Sequence, residues 1–149
     1  MFKCVNFYEI ASMAKILVVE DDAMNAKLFN IILTRKAGHE VIVAENAEEA
    51  VRYSISGEID LIIMDVSLQD WFIQGKEVNG IDLARIIKRD KRSKDIPVLL
   101  ATAHAMRGDR RNLLQESGAD DYFSKPVHDH DLFVAKVQSL ISLSQSRAV

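Results

Sequence analysis

Short apolar runs alternate with segments of helical periodicity between Lys15 and Leu143. The apolar runs are four or five residues long, as strands often are, and each precedes a segment with apolar residues three or four positions apart. This alternation predicts a doubly wound α/β fold, with five parallel strands and five helices. The predicted strands are residues 15–19, 40–44, 60–64, 98–101 and 121–124, and the predicted helices are residues 23–36, 47–55, 80–90, 107–117 and 129–142.

Capping residues support several of these boundaries. Gly38 follows the first predicted helix and is the residue type that most often ends a helix. Asn46 and Glu49 have the spacing of a capping box at the start of the second helix. Asp129 precedes the fifth helix and can accept hydrogen bonds from its first turn.

Length and composition indicate one globular domain. A chain of 149 residues that is 48% hydrophobic can bury a substantial core. We expect the domain to occupy residues 14–143. An N-terminal extension, residues 1–13, precedes it, and a polar tail, residues 144–149, follows it.

Charge and hydropathy argue against two classes of partner. The net charge of −3 gives no electrostatic reason to expect binding to nucleic acid. No apolar run approaches the roughly 20 residues that cross a bilayer. The single cysteine, Cys4, has no partner for an internal disulfide, which suits a reducing compartment. We therefore expect a cytoplasmic protein that contacts neither nucleic acid nor membrane.

Chemically reactive residues follow four of the five predicted strands. Glu20 and Asp21 come after the first strand and Asp65 after the third, while Thr102 and Lys125 follow the fourth and fifth. The carboxyl ends of parallel strands meet at one edge of a sheet, so these side chains should converge. Clustered carboxylates repel one another unless a cation lies among them, and oxygen ligands favour Mg²⁺. An aspartate in such a site can act as a nucleophile toward phosphorus.

Four segments together resemble the receiver domains of two-component response regulators, and they occur in that family's order. They are Ile-Leu-Val-Val-Glu-Asp-Asp at 16–22, Leu-Ile-Ile-Met-Asp at 61–65, Ala-Thr-Ala at 101–103 and Tyr-Phe-Ser-Lys-Pro at 122–126. The resemblance covers residues 15–143. It implies a flavodoxin-like sheet with strand order 2-1-3-4-5.

The resemblance also implies a phosphoryl-accepting magnesium site. Asp65 would be the phospho-acceptor. Mg²⁺ would be bound by Asp21, Asp65 and the backbone carbonyl of Ser67, with Glu20 acting through water. Asp22 would lie outside this set and would cap the first helix instead.

The remaining roles concern the response to phosphorylation. By resemblance, Lys125 would pair with the phosphoryl group or with the acceptor carboxylate. Thr102 would also be catalytic, as a hydrogen-bond donor to the phosphoryl group, and Thr102 and Tyr122 would form the switch. The protein would then be a single-domain response regulator, not a conventional enzyme, with Mg²⁺-dependent self-phosphorylation and self-dephosphorylation only. Its partners would be a histidine kinase or a histidine phosphotransfer protein, together with an output protein. We expect a monomer or a weak dimer.

One segment departs from the family pattern. Gln69 stands where the family usually has proline, and the segment 66–79 that precedes Gly80 is about seven residues longer than the family pattern leads us to expect. It contains the apolar residues Trp71 and Phe72. They could pack onto neighbouring helices, or they could form a lid or a partner contact beside the site.

Two other functional classes share parts of this pattern. A phosphatase with an aspartate nucleophile usually has a second acid two residues later, where this chain has Ser67. A flavodoxin-like cofactor binder would need a glycine-rich phosphate loop after the first strand, where this chain has three acids. Both features favour a receiver over these alternatives.

Overall fold

The computed structural model describes residues 13–103 and 109–147. Those residues form a parallel sheet of five strands, a small two-stranded sheet and five helices. In chain order the elements are β1 (Lys15–Val19), α1 (Ala23–Ile31), β2 (Glu40–Ala44), α2 (Ala47–Ser54), β3 (Leu61–Asp65), β4 (Phe72–Ile73), β5 (Lys76–Glu77), α3 (Gly80–Arg89), β6 (Val98–Thr102), α4 (Asp109–Ser117), β7 (Asp121–Ser124) and α5 (His130–Arg147).

The large sheet has the order β2-β1-β3-β6-β7, and every neighbouring pair is parallel. Because β6 and β7 are its fourth and fifth strands along the chain, the predicted order 2-1-3-4-5 is confirmed. The first helix is continued by a π-helical segment, Ile32–Lys36. The chain then turns at Gly38, whose φ of 73° lies in the left-handed region that glycine tolerates.

Two apolar cores lie on opposite faces of this sheet. Side chains alternate across a strand, so Leu17 and Val19 of β1 pack with α2 and α3, whereas Ile16 and Val18 pack with α1 and α5. The central strand β3 is buried along its whole length. A strand covered on both faces in this way reads as an unbroken apolar run, which is why periodicity predicted it.

Side-chain caps fix the starts of four helices, and at α3 the cap is a full capping box between Asn79 and Asp82. Asp22 accepts hydrogen bonds from two N–H groups of the first turn of α1, Asn46 caps α2, and Asp129 caps α5. The expected capping box of α2 is only half present. The Glu49 carboxylate accepts from the N–H of Glu45, one residue before the N-cap.

Element ends differ from the predictions in a few places. The fifth helix continues to Arg147, so the helix includes much of the segment expected to be a polar tail. The strands β3 and β6 extend one residue further than predicted and end on Asp65 and Thr102 themselves. Residues 1–12, which make up nearly all of the expected N-terminal extension and include Cys4, and the start of the predicted helix 107–117 lie outside the described residues.

The long segment after β3 contains a β-hairpin that the sequence analysis missed. Strands β4 and β5 pair antiparallel, with Phe72 opposite Glu77 and Ile73 opposite Lys76. The two residues between the strands, Gln74 and Gly75, have φ values of 50° and 79°. Positive φ at both central positions is the geometry of a tight two-residue hairpin turn.

The base of the hairpin is fixed to the domain. The N–H of Gly80 donates to the carbonyl of Val66 (N···O 3.1 Å), and the N–H of Val78 donates to that of Trp71 (2.8 Å). Trp71 is only 7% exposed and belongs to the core on the α2 and α3 face, whereas Phe72 is 49% exposed. Trp71 therefore packs into the core, which is one of the two alternatives for this segment. Phe72 is the residue that remains available for a lid or a partner contact.

None of the helices in the described part of the chain is long and apolar enough to cross a membrane.

Candidate functional site

The ends of three parallel strands bring Glu20, Asp65 and Lys125 into direct contact. The Nζ of Lys125 lies 2.9 Å from Oδ1 of Asp65 and 3.3 Å from Oε2 of Glu20. These partners are 60 and 105 positions away from the lysine in the sequence. Their side chains are at most 2% exposed for the acids and 13% for the lysine. The expected convergence at the carboxyl edge of the sheet is present.

Asp21 completes a group of three carboxylates. Glu20, Asp21 and Asp65 each offer an oxygen atom, and these atoms all lie within 4.8 Å of one another. Asp21 is exposed, unlike the other two acids. Oxygen donors at this spacing match the ligand preference of Mg²⁺, which binds proteins through a few carboxylates and keeps several waters. The residues present therefore fit the metal that the sequence predicts.

The negative charge is only partly compensated. Burial, together with the nearby charge of Asp65, raises the pKa of Glu20 from 4.5 to about 7. Burial opposes the charge on Lys125, but its hydrogen bond to Asp65 and the negative charge of Glu20 outweigh that effect, so the pKa of Lys125 is raised. One ammonium group thus faces three carboxyl groups, and a further cation would find a favourable position here.

Backbone N–H groups orient the two buried acids. Ser67 donates to Oδ1 of Asp65 (3.1 Å), and Asp22 donates to Oε1 of Glu20 (3.2 Å). Asp22 itself caps α1, as expected, which leaves its Oδ1 occupied by the helix. The acids line an open cleft of about 370 Å³, together with the other residues Asp22, Asn25, Ser67, Gln69 and Lys125.

The two expected switch residues lie on β6 and β7. Thr102 is the last residue of β6, is 4% exposed, and its carbonyl accepts the N–H of Lys125 (2.8 Å). Tyr122 is half-buried within β7, and its carbonyl accepts from Nζ of Lys136 (3.0 Å). Tyr122 and Lys125 together line a separate cavity of about 420 Å³. The switching roles of Thr102 and Tyr122 stay predictions.

Trp71 lies beside the acidic cleft. It lines a cavity of about 430 Å³ between α1, β2 and the long segment, and Glu20 and Asp21 line the same cavity. Trp71 thus places the start of the hairpin next to Glu20 and Asp21, and the expected role as a lid or partner contact stays a prediction.

Two contacts were missed by sequence reasoning. The N–H of Gln69 donates to Oδ2 of Asp21 (3.1 Å), across 48 positions of sequence. Gly80 passes so close to Asp65 that an added Cβ would lie 1.8 Å from the carbonyl oxygen of that residue. The departure from proline at Gln69 could have suggested the first contact, because proline has no N–H to donate. No local pattern signals the second.

An α/β fold whose parallel sheet carries an acidic cluster and a lysine at its carboxyl edge is the arrangement expected of a phosphoryl-accepting receiver domain. The family model described as "Response regulator receiver domain" matches residues 16–137. The chain belongs to this family, as the resemblance predicted.

Curated relatives of different architecture match this chain. It is 36% identical over 128 residues to the phosphate regulon transcriptional regulatory protein PhoB of Pseudomonas aeruginosa, covering 85% of this chain and 51% of that protein. It is 34% identical over 121 residues to hybrid signal transduction histidine kinase I of Dictyostelium discoideum, covering 80% of this chain but only 7% of the kinase. The polar-differentiation response regulator DivK of Brucella anthropi is 35% identical over 112 residues, with 75% of this chain and 84% of DivK covered.

Solved structures have the same fold. The receiver domain of a sensor histidine kinase from Pseudomonas aeruginosa, with a magnesium ion coordinated in its active-site cleft, superposes with a TM-score of 0.73 at 29% identity, covering 87% of this chain and 98% of that one. A response regulator from Chloroflexus aurantiacus gives a TM-score of 0.74 at 28% identity, with the same coverage.

Proposed function

We propose that this protein accepts a phosphoryl group on Asp65 from a phosphohistidine of a histidine kinase or a histidine phosphotransfer protein, and that the phosphorylated form signals through altered protein contacts. The observation that carries the proposal is the contact of Lys125 with Asp65 at 2.9 Å inside a cluster of acids. Membership of the receiver family supports the same conclusion.

The transfer is a nucleophilic substitution at phosphorus. A carboxylate oxygen of Asp65 forms a bond to phosphorus while the bond from phosphorus to the histidine nitrogen breaks. The electron pair of the broken bond returns to the imidazole, and an acyl phosphate remains on Asp65. Lys125, already 2.9 Å from the acceptor, is positioned to offset the charge of the incoming phosphoryl oxygens.

The acidic cluster supports a magnesium site. We infer that Asp21, Asp65 and the backbone carbonyl of Ser67 hold Mg²⁺, with Glu20 acting through water. The spacing of the carboxylate oxygens, within 4.8 Å of one another, favours a divalent cation. A similar receiver domain contains magnesium in its cleft. When bound, Mg²⁺ supplies neutralisation of phosphoryl charge.

The response would pass from the cleft to the neighbouring strands. Thr102 and Tyr122 lie on the two strands next to the acceptor strand on this side of the sheet, so an added charge at Asp65 can bias their positions. Exposed Phe72, seven residues after the acceptor, is available as a partner contact. We expect the protein to act in the cytoplasm, as a monomer or weak dimer, without binding nucleic acid or membrane.

Phosphorylation by a small donor tests this function. The purified protein is incubated with acetyl phosphate and Mg²⁺, and its intact mass is measured. We expect one phosphate adduct in the wild type and none in Asp65→Asn. Asp70→Asn is the matched control, because Asp70 is an exposed aspartate of the same segment, and it should retain the adduct.

Other outcomes would contradict the proposal. An adduct that persists in Asp65→Asn would place the acceptor elsewhere. Rapid multiple turnover of small phosphoesters would indicate a phosphatase, and a co-purifying chromophore would indicate a cofactor binder. Chelation of Mg²⁺ should abolish the adduct. A pull-down that compares the wild type with Asp65→Asn under phosphorylating conditions then tests whether partners depend on phosphorylation.

A further inference from the structure

A groove of about 430 Å³ separates the β4–β5 hairpin from the outer face of α3. The apolar part of its lining, the floor, consists of Ile73 and Val78 from the hairpin side and Ile86 from α3. Ile86 is 37% exposed, whereas Leu83, Ala84 and Ile87 of the same helix are buried. The groove and the acidic cleft have no lining residue in common.

The wall formed by the hairpin has a fixed position. Trp71 and Val78, which flank the two short strands, are buried in the core, and the N–H of Val78 donates to the carbonyl of Trp71. Ile73 and Lys76 are directly paired across the hairpin, so their side chains lie on the same face, and both line the groove. The groove is thus a formed surface between two anchored elements.

Charge in the groove has the opposite sign to the charge of the whole chain. Lys76, Arg85 and Arg89 line it with a single acid, Asp82. Asp82 is already engaged, because it accepts the N–H of Asn79 (3.0 Å) and lies 3.6 Å from Arg85. Within residues 13–103 and 109–147, no carboxylate approaches Lys76 or Arg89 within 4.0 Å. Two cations therefore remain uncompensated at the rim, in a chain of net charge −3.

We propose that this groove binds an acidic segment of a partner protein, in which a large apolar side chain is flanked by Asp or Glu. The apolar side chain would cover Ile73 and Ile86, whose exposed area gives the main gain on binding. The flanking carboxylates would pair with Lys76 and Arg89 and fix the orientation of the segment. The surface goes beyond the proposed function, since none of its residues takes part in phosphoryl transfer.

Two features favour a protein segment over a nucleic acid. The floor is apolar, whereas a phosphate backbone is bound mainly through rows of cations. The volume suits one or two buried side chains, at the lower end of the range for specific pockets. A groove this small also matches the short apolar anchors that peptides insert into surface grooves.

A synthetic probe tests the proposal directly. The probe is a short helical peptide with Leu at helical spacing between Glu residues, and its control has Lys in place of every Glu. Both are titrated into ¹⁵N-labelled full-length protein. We expect saturable shifts of the amide signals of Ile73, Lys76, Ile86 and Arg89 with the acidic peptide only. Absence of binding, or shifts centred elsewhere, would overturn the proposal.

Charge reversal separates a specific site from general attraction. The double variant Lys76→Glu with Arg89→Glu should bind the acidic peptide about tenfold more weakly. The matched control, Arg35→Glu with Lys94→Glu, makes the same change in net charge at exposed positions outside the groove. It should bind like the wild type. Equal weakening in both would contradict a site in the groove.

A second variant and two competitors complete the test. Ile86→Ala removes part of the exposed floor and should weaken binding of the acidic peptide severalfold. The NMR spectrum of the variant should show that the protein stays folded. If a short DNA oligonucleotide binds more tightly than the acidic peptide, or if the protein self-associates through the groove, the proposal of an acidic protein segment is wrong. Each variant should still gain phosphate from acetyl phosphate, so a failure of this proposal is distinct from a failure of the proposed function.

Discussion

The N–H of Gln69 donates a hydrogen bond to Oδ2 of Asp21, with 3.1 Å between the nitrogen and the oxygen. This bond joins the segment that follows β3 to Asp21, a predicted magnesium ligand that lines the same cleft. Asp21 is exposed, so without this bond its carboxylate would have more freedom to rotate. The bond orients the acid before any metal arrives.

The first prediction follows from that bond. Gln69→Pro lacks the N–H and should bind Mg²⁺ about tenfold more weakly, as when other partners that orient metal ligands are lost. Gln69→Ala keeps the N–H and should bind like the wild type. Trp71 is the only tryptophan and lines a cavity with Asp21, so its fluorescence can follow the titration. Equal affinity in the two variants would exclude this role for the bond.

The second prediction concerns pH. In the metal-free protein the pKa of Glu20 is about 7, above the ordinary value of 4.5, so the folded state holds this proton more tightly than the unfolded state. The stabilisation is complete below about pH 4.5 and is lost as pH rises through 7. Glu20→Gln avoids that loss and should be more stable than the wild type by about 3 kcal/mol at pH 8, but by less than about 1 kcal/mol at pH 5.

Urea unfolding in the presence of a chelator measures this difference. The control is Glu40→Gln, at an exposed position at the start of β2. Its stability should follow that of the wild type at both pH values. A constant offset between Glu20→Gln and the wild type, independent of pH, would show that the effect does not come from titration.

The third prediction concerns the close approach of α3 to the acceptor. A Cβ at Gly80 would lie 1.8 Å from the carbonyl oxygen of Asp65 and 2.9 Å from Cα of Val66, and both are backbone atoms that cannot move independently. Gly80→Ala should destabilise the protein by about 3 kcal/mol or displace Asp65 enough to prevent phosphorylation. A Cβ at Gly75 meets nothing within 4 Å, but φ there is 79°, so Gly75→Ala should lower the free energy of unfolding by only about 1 kcal/mol. If urea unfolding shows a similar decrease in the free energy of unfolding for both variants, and both are phosphorylated normally, the clash at Gly80 is contradicted.

The fourth prediction separates the two aromatic residues of the hairpin. Trp71→Ala removes a buried side chain and should lower the free energy of unfolding by about 3 kcal/mol or more. Phe72→Ala changes a half-exposed side chain and should lower it by less than about 1 kcal/mol. Thermal and urea unfolding measure both. If Phe72 is a partner contact, Phe72→Ser should reduce partner binding or change the phosphorylation rate while the fold stays intact.

Sequence periodicity predicted the large sheet because each of its strands is an apolar run between clear turn or helix signals. The acidic cluster was predictable too, since topology alone brings the ends of parallel strands together. The extension of α5 to Arg147 was not, because the apolar stripe stops at Leu143 while backbone hydrogen bonding continues. A helix end in polar sequence leaves no periodic signal.

The hairpin and its contacts could not be predicted from the sequence, for a different reason. Strands of two residues are too short to show any period, and only Gln74-Gly75 hints at the turn. The bond from Gln69 to Asp21 joins residues 48 positions apart, and the fit of Gly80 against Asp65 depends on where a helix begins in space. Such distances follow from tertiary packing.

The N–H···O bond from Gly80 to Val66 has a consequence for how this protein could diversify. The bond holds the two ends of the segment 67–79 together, so a change in length at the hairpin turn, Gln74 and Gly75, need not move Asp65 or the sheet. Ser67, Gln69 and Trp71 would have to be kept, because they contact the acids or the core. The tip of the hairpin could then diverge with the choice of partner while the residues around Asp65 stay unchanged.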